Sequence, residues 1–456
     1  MIVVTEKKLS IILAVFIFLF AILLIYIGFY FRHLSKPSYI VGEVLERIQN
    51  KSWNYLFPNQ NIFVGDQFSL ESSIDFDLDS EYYKNQSMVD IDALRKYNII
   101  KNLSNLNTQL VMKHDGKARQ LLLDFEQKLG NEKLYHRKEY VANETGYYYV
   151  EDVLNQYVNN GSCHYFETIR EGKTHHDNFQ YLNEYIFKAI QNSLLEEDFK
   201  TYEVNTNIHG KEEKVHQISI QFTNKLIRKV WNSIILDFEK DEEASFLIKN
   251  IFPNYKNYLL KDDSRILSSN EYYILNIYTT RFLYAPVKYE VIHMMGDEKE
   301  VYIYEGDDTS GDGYYVLNDQ VYYSAHFKWR DNSIDVKIKN SKGEDLGNFR
   351  FDKDGNNIAM NYSFEEKDKK YEVVYSSKYE DVVKKKRYVN TQLLSFSYLE
   401  NKITKLNGSV SYTQKLDSKA QIEESVGDSI LASKLTKEQK DMFQNKYKAI
   451  KERMEK

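Results

Sequence analysis

Between Leu9 and Phe31 the chain runs 23 residues without a charge, and only Ser10, Tyr26, Gly28 and Tyr30 interrupt aliphatics and Phe. As a helix this run spans roughly 34 Å, enough to cross a hydrocarbon core of about 30 Å with some tilt. Tyr26 and Tyr30 stand near one end, where interfacial aromatics belong. Phe29-Tyr30-Phe31-Arg32-His33 offers no small-x-small cleavage site, and no cysteine stands where a lipid anchor would be attached. The segment therefore reads as one uncleaved transmembrane helix, and the rest of the chain must lie on one side of the membrane. Lys7 and Lys8 before it balance Arg32 and Lys36 after it, so flanking charge does not set the orientation. Long domains translocate largely regardless of such charges. The expectation is a single-pass protein of the cell membrane, N-in: residues 1–8 form a cytoplasmic tail, 9–31 the span, and everything after it is extracytoplasmic.

The remaining sequence is long enough for one very large domain or two to three ordinary ones. It holds 38 Tyr and only 4 Pro in 456 residues, a balance that suits half-buried pleated surfaces, although an AT-rich genome would write a similar composition. The net charge of −6 supplies no basic footprint for nucleic acid, so none is expected as a partner. Lys384-Lys385-Lys386-Arg387, beside Glu380 and Asp381, is the densest basic run and reads as a solvated strand end. Cys163 is the only cysteine, which excludes an intramolecular disulfide. A folded exported domain of this size without disulfides fits a bacterial surface better than a eukaryotic secretory route.

Residues 32–65 read as a juxtamembrane helix, over 39–50, and a loop from Trp53 to Pro58. In 67–79, Phe68, Leu70, Ile74, Phe76 and Leu78 hold even positions with polar residues between them. That is a long strand with one buried face. Leu106, Leu110 and Met112 repeat the pattern. Strands over 118–129 and 132–142 follow, with turns at Asp115-Gly116 and Gly130-Asn131. The period then changes. Leu182, Ile186, Ala189 and Ile190 make a helical stripe across 178–195, and a hairpin at His209-Gly210 precedes a second helix capped by Thr223. One or two shorter helices broken by Pro253 close this helical middle, 178–262. Strand grammar returns from about 270, punctuated by Gly296-Asp297, Gly343, Asp354-Gly355 and Asn407-Gly408. The tail, 426–456, carries an amphipathic helix with Phe443, Tyr447, Ile450 and Met454 at helical spacing.

Strands, then helices, then strands argue for α+β architecture. The expected fold is a large curved antiparallel sheet, half-barrel-like, with the central helical block covering one face. No Pro/Gly/Ser-rich linker interrupts 66–425, so one large domain is preferred, with a split near 265 as the runner-up.

Chemistry-bearing clusters are few. His175-His176-Asp177 sits before a helix, where Asp177 makes sense as an N-cap. Asp352-x-Asp354-Gly355-Asn356 resembles the start of a calcium loop, but its twelfth position is Ser363 and strands flank it, so it reads as a hairpin turn. Glu305-Gly306-Asp307-Asp308-Thr309-Ser310-Gly311-Asp312-Gly313 is the strongest candidate. Asp307, Asp308 and Asp312 could ligate a hard cation, or simply populate a long solvated hairpin loop. No cofactor motif is present, and no catalytic motif marks the chain as an enzyme.

The order of elements, and Gly146-Tyr147-Tyr148-Tyr149-Val150 ahead of a helix, resembles the lipoprotein-carrier half-barrel superfamily (LolA and the LprG/LppX group). It is also similar to uncharacterised single-anchor surface proteins of low-GC Gram-positive bacteria. The resemblance covers about 66–425 and implies a curved sheet covered by helices, with space between them for acyl chains. An uncleaved helix departs from the lipid-anchored members and would tether a carrier. The leading expectation is a non-enzymatic extracytoplasmic domain that binds a lipid or other apolar envelope ligand between sheet and helices. A protein-interaction or structural envelope module is the alternative, and a hydrolase with an unrecognised site around 305–313 comes third.

Overall fold

The structure, a computed structural model, describes residues 36–56, 67–88, 90–154, 156–163, 165–168, 175–252, 254–281, 284–307, 309–383, 386–419, 421–424 and 426–455. The expected membrane segment Leu9–Phe31 lies outside these. Among the described residues no helix is long and apolar enough to cross a membrane. Strands outweigh helices among the described residues, so cross-strand pairing rather than helix packing sets an α+β architecture built mostly of antiparallel sheet.

In chain order the elements begin with α1 (Pro37–Leu56), β1 (Gln67–Asp79), α2 (Glu81–Gln86), α3 (Ile91–Ser104), β2 (Leu106–Asp115), β3 (Gln120–Leu129), β4 (Glu132–Ala142), β5 (Thr145–Val150) and β6 (Val158–Ser162). The middle holds α4 (His175–Ser193), β7 (Phe199–Ile208), β8 (Lys211–Phe222), α5 (Asn224–Asp237) and α6 (Glu242–Ile251). Strands β9 (Glu271–Thr279), β10 (Pro286–Met295), β11 (Glu298–Gly306), β12 (Ser310–Leu317), β13 (Gln320–Arg330) and β14 (Ser333–Asn340) follow. The last are β15 (Asp345–Asp354), β16 (Asn357–Glu366), β17 (Lys369–Val383), β18 (Arg387–Glu400), β19 (Ile403–Asp417), β20 (Ile430–Leu431) and α7 (Lys437–Glu455). The chain divides into two compact units, each assembled from separated stretches.

The first unit takes the described residues up to Ser52, then Glu184–Asp237 and Lys256–Ser324. Its strands form an antiparallel meander in the order β7-β8-β9-β10-β11-β12. His209 and Gly210 both take positive φ at the β7–β8 turn, the backbone that a two-residue hairpin of this hand requires. Ile218 stands opposite Ile277 and Ile220 opposite Leu275, which puts all four on one face. Ile40, Val41 and Val44 of α1 and Leu226 of α5 pack onto that face with them. Thr223 caps α5 as the sequence indicates, accepting from Leu226 N at 3.4 Å. The layer is tight: Ile277 is 0% and Ile220 1% exposed.

The second unit takes Trp53–Asn183, Phe238–Tyr255 and Ala325–Lys456. Antiparallel pairing runs β14-β15-β16-β17-β18-β19, then β1-β2-β3-β4-β5-β6, with the short β20 parallel to β6. The alternating strand predicted over 67–79 is β1, and it lies between β19 and β2. Its Phe68 and Leu70 pack with Leu416, Tyr388 and Tyr379. A side chain at Gly408 would sit 2.7 Å from Leu78 Cδ2 and 2.6 Å from the Asp77 carbonyl, so glycine lets the two strands pair here. The tail helix α7 docks through Phe443 and Ile450 onto a core of Tyr135, Val150, Val153, Leu154 and Val158. Thr436 and Gln439 cap it reciprocally, at 3.2 and 2.9 Å.

Several boundaries move. Helix α1 continues to Leu56, so the loop expected at Trp53 starts later. Helix α4 begins at His175, which places Asp177 inside its first turn rather than at the cap; acidic residues there suit the helix dipole equally well. Helices α2 and α3 went unread in the sequence.

Replacing Ile277 by Ala should destabilise the purified protein by about 2–5 kcal/mol, the usual loss for a filled core position. Equilibrium urea unfolding measures it, and a loss under about 1 kcal/mol would show that the sheet–helix layer is loosely filled.

Candidate interaction face and its charged neighbours

The acidic segment Glu305–Gly313 is not a long loop. Strand β11 continues to Gly306 and β12 resumes at Ser310, leaving a three-residue connection. The Asp307 carboxylate accepts from Thr309 N (2.7 Å), Thr309 Oγ1 (2.6 Å) and Ser310 N (2.9 Å). Those donors hold its pKa down at about 2. Asp307 is therefore committed to shaping the turn, and Tyr304 donates its hydroxyl to the Asp307 carbonyl at 2.9 Å. Asp308 lies outside the described residues. Asp312 sits on β12 opposite Glu305, its carboxylate 3.7 Å from His209 Nδ1. Among the described residues no three His, Cys, Asp or Glu converge as a metal site. Asp354 and Gly355 occupy a hairpin, as the sequence indicates, with Gly355 at φ +58. The side chains of His175, His176 and Asp177 lie outside what the structure describes.

Next to Asp312 lies a network that sequence reading missed. Lys288 on β10 is buried, with Nζ 3.2 Å from Glu290 and 3.1 Å from Glu305. Glu290 also accepts from the Tyr278 hydroxyl (2.6 Å) and from Asn276 Nδ2 (3.2 Å). Glu305 accepts from the backbone N–H of His209, 96 residues earlier in sequence. Burial, reinforced by the bond to Glu290, pushes the Tyr278 phenol well above its ordinary range. The register explains the convergence. Tyr278 stands opposite Lys288 and Lys288 opposite Glu305, so three adjacent strands present these groups on one face. The trace in the sequence is Lys288-x-Glu290 at same-face spacing inside a strand whose other residues, His293 apart, are apolar or aromatic.

The other face of the same strands behaves differently along its length. Near Ile277 and Tyr289 it lies beneath α1 and α5. Further along, Val291 stands opposite Tyr302, and Tyr302 opposite Tyr315. Here the face is open: Val291 is 38%, Tyr302 51%, Tyr322 43% and Met295 49% exposed. The Tyr302 and Tyr315 rings lie 5.2 Å apart, and Tyr315 and Tyr322 6.3 Å apart. At the edge of this patch His293 meets Glu300 through Nδ1 and Glu271 through Nε2, each at 3.1 Å, and stacks on Tyr273 at 4.3 Å. The bond to Glu300 is the chief reason that the His293 pKa is raised. Glu300 also accepts from the Tyr315 hydroxyl at 3.2 Å, so one carboxylate fixes both the imidazole and the ladder.

The arrangement offers a rigid aromatic surface with a satisfied polar margin, not a nucleophile and base aimed at a common point. Lys288→Met should cost about 3–5 kcal/mol in urea unfolding, because it strands the buried Glu305 and the half-buried Glu290. Adding Glu290→Gln and Glu305→Gln should restore most of that loss. Equal stability of Lys288→Met and the wild type would show that the ion network is not needed.

No protein-family model matches the chain, and no curated protein matches it. Among solved structures the chain is similar to a mutant of the vaccine antigen Transferrin Binding Protein B from Haemophilus parasuis, at 8% identity over 77% of each chain. The TM-score is 0.15, too low for that likeness to carry any argument about fold or function.

Proposed function

We propose that this is a membrane-anchored, non-enzymatic interaction module of the extracytoplasmic side, held by Leu9–Phe31 and engaging a protein partner through the tyrosine ladder of β10–β13. The supporting observation is the in-register row Val291–Tyr302–Tyr315, with Tyr322 beside it, left open where the face around Ile277 and Tyr289 is covered. Aromatic side chains that are already fixed lose little conformational entropy on binding, which is why Tyr is enriched at the centres of interfaces. Glu300 holds the Tyr315 hydroxyl, so this ring is ordered before any partner arrives. An apolar ligand between sheet and helices, the carrier-like reading, draws less support. In the first unit the layer between α1, α5 and the sheet is filled by side chains such as Ile277 and Ile220. A hydrolytic site around 305–313 draws less still, since Asp307 is consumed by its own turn.

A photo-crosslinking residue in place of Tyr302, in intact cells, tests this. One adduct of discrete mass is expected, weakened by Val291→Asp and missing when the crosslinker replaces exposed Lys369 on β17. Adducts that are the same at both positions, or none at Tyr302, would remove the ladder as an interface.

A further inference from the structure

The second unit carries a strongly cationic basin on a chain whose net charge is −6. On β13, His326, Lys328 and Arg330 alternate and are exposed, so all three project from one face. With Lys337 of β14 and Arg350 of β15 they line an open depression of about 480 Å³. Asp335 is the single carboxylate in that lining. Arg350 is held by Asp352 at 2.6 Å, with Asp335 at 3.8 Å. Among the described residues, no carboxylate lies within ion-pair distance of Lys328 or Lys337.

Burial does not explain this cluster, because the ammonium groups of Lys328 and Lys337 face solvent and contribute nothing to a core. Fold stability does not explain it either, since placing like charges on neighbouring strands is unfavourable. The basin also has a direction. Lys337 and Asn348 line a second open depression of about 720 Å³, which continues across β15–β17 past Lys367 and Lys370; Asp345, Glu365 and Glu372 also line it, so the excess of cations lies at the Lys328–Lys337 end. The two together make a trough rather than a round pocket. Lys328 and Arg330, two residues apart on one strand, stand roughly 6.6–6.8 Å apart, a spacing that meets charges repeating along a chain.

The geometry points to a binding site for a linear phosphate-bearing polymer, lying in the trough with its phosphates on Lys328, Arg330 and Lys337. Arginine supplies planar, bidentate recognition of phosphate oxygens and lysine supplies point charge. A concave trough suits a strand-like polyanion better than the flat headgroup plane of a bilayer. Its residues belong to the second unit, whereas Tyr302, Tyr315 and Tyr322 belong to the first.

The test uses full-length protein in non-ionic detergent, linear polyphosphate as the probe, and vesicles of phosphatidylglycerol as the competing source of phosphate. Polyphosphate should bind at low salt. Lys328→Gln with Lys337→Gln should weaken it at least about tenfold and lower the slope of log K against log salt by about 2. Lys440→Gln with Lys448→Gln on α7 should leave both quantities unchanged within about twofold. Both pairs replace exposed side chains, and an unchanged melting transition will show that each variant is folded. The inference is overturned if the two pairs weaken polyphosphate equally or if polyphosphate does not bind. It is overturned equally if the vesicles bind through Lys328 and Lys337 and polyphosphate does not.

Discussion

The second unit depends on one non-local pairing. Strand β1 aligns with β19 over Ser69–Asp79 and Asp417–Asn407 without a register shift. Ser72 and Tyr412, 340 residues apart, meet there through a hydrogen bond of 3.1 Å. Closing so long a loop is less costly than it looks, because the entropy loss grows only with the logarithm of loop length. What secures the register is packing on one face. Phe68 and Leu70 must reach Leu416 and Tyr388, and a one-residue slip would turn all of them to the other side. Gly408 removes the side chain that would block Leu78. Once β1 is in place, the strands before β19 and those after β1 become one ladder.

The same period-2 logic lets a single strand serve two purposes. Strand β10 sends Tyr289 toward the helices and Lys288 with Glu290 into an ionic network on the reverse face. Buried charges are tolerated there because each one is paired: Lys288 with two carboxylates, and Glu290 with the Tyr278 hydroxyl as well. Further along the strand, Val291 and its neighbours Tyr302 and Tyr315 emerge beyond the cover of α1 and α5. A surface of this kind is not needed for folding, and that is the reason to read it as functional.

The sequence revealed most of the strands and little of the site. Strand β1 was legible because Phe68, Leu70, Ile74, Phe76 and Leu78 hold even positions broken only at Ser72, and α7 because Phe443, Tyr447, Ile450 and Met454 recur at helical spacing. Helix α3 was not, since its stripe is weak: only Ala93 is buried, and Ile91 is 85% exposed. Its N-cap Asp90, accepting from Asp92 N at 2.9 Å, was the available signal. The assembly of each unit from separated stretches leaves no linker to find, because the crossings fall within elements such as α1, α4 and β13. The acidic segment drew attention by composition, but its shape was set by how far β11 and β12 stay paired. Glu305 became interesting only when register and a distant hairpin brought Lys288 and His209 to it.

The claim that the tyrosine ladder is an occupied interface can be measured by tyrosine-directed covalent footprinting of intact cells and of purified protein. The account predicts that Tyr302 and Tyr322 label readily once purified and are protected in cells. Tyr447 on α7, 70% exposed, should label equally in both. If Tyr302 and Tyr322 label to the same extent in cells as in the purified protein, the ladder faces solvent where the protein works, and the interaction account is wrong.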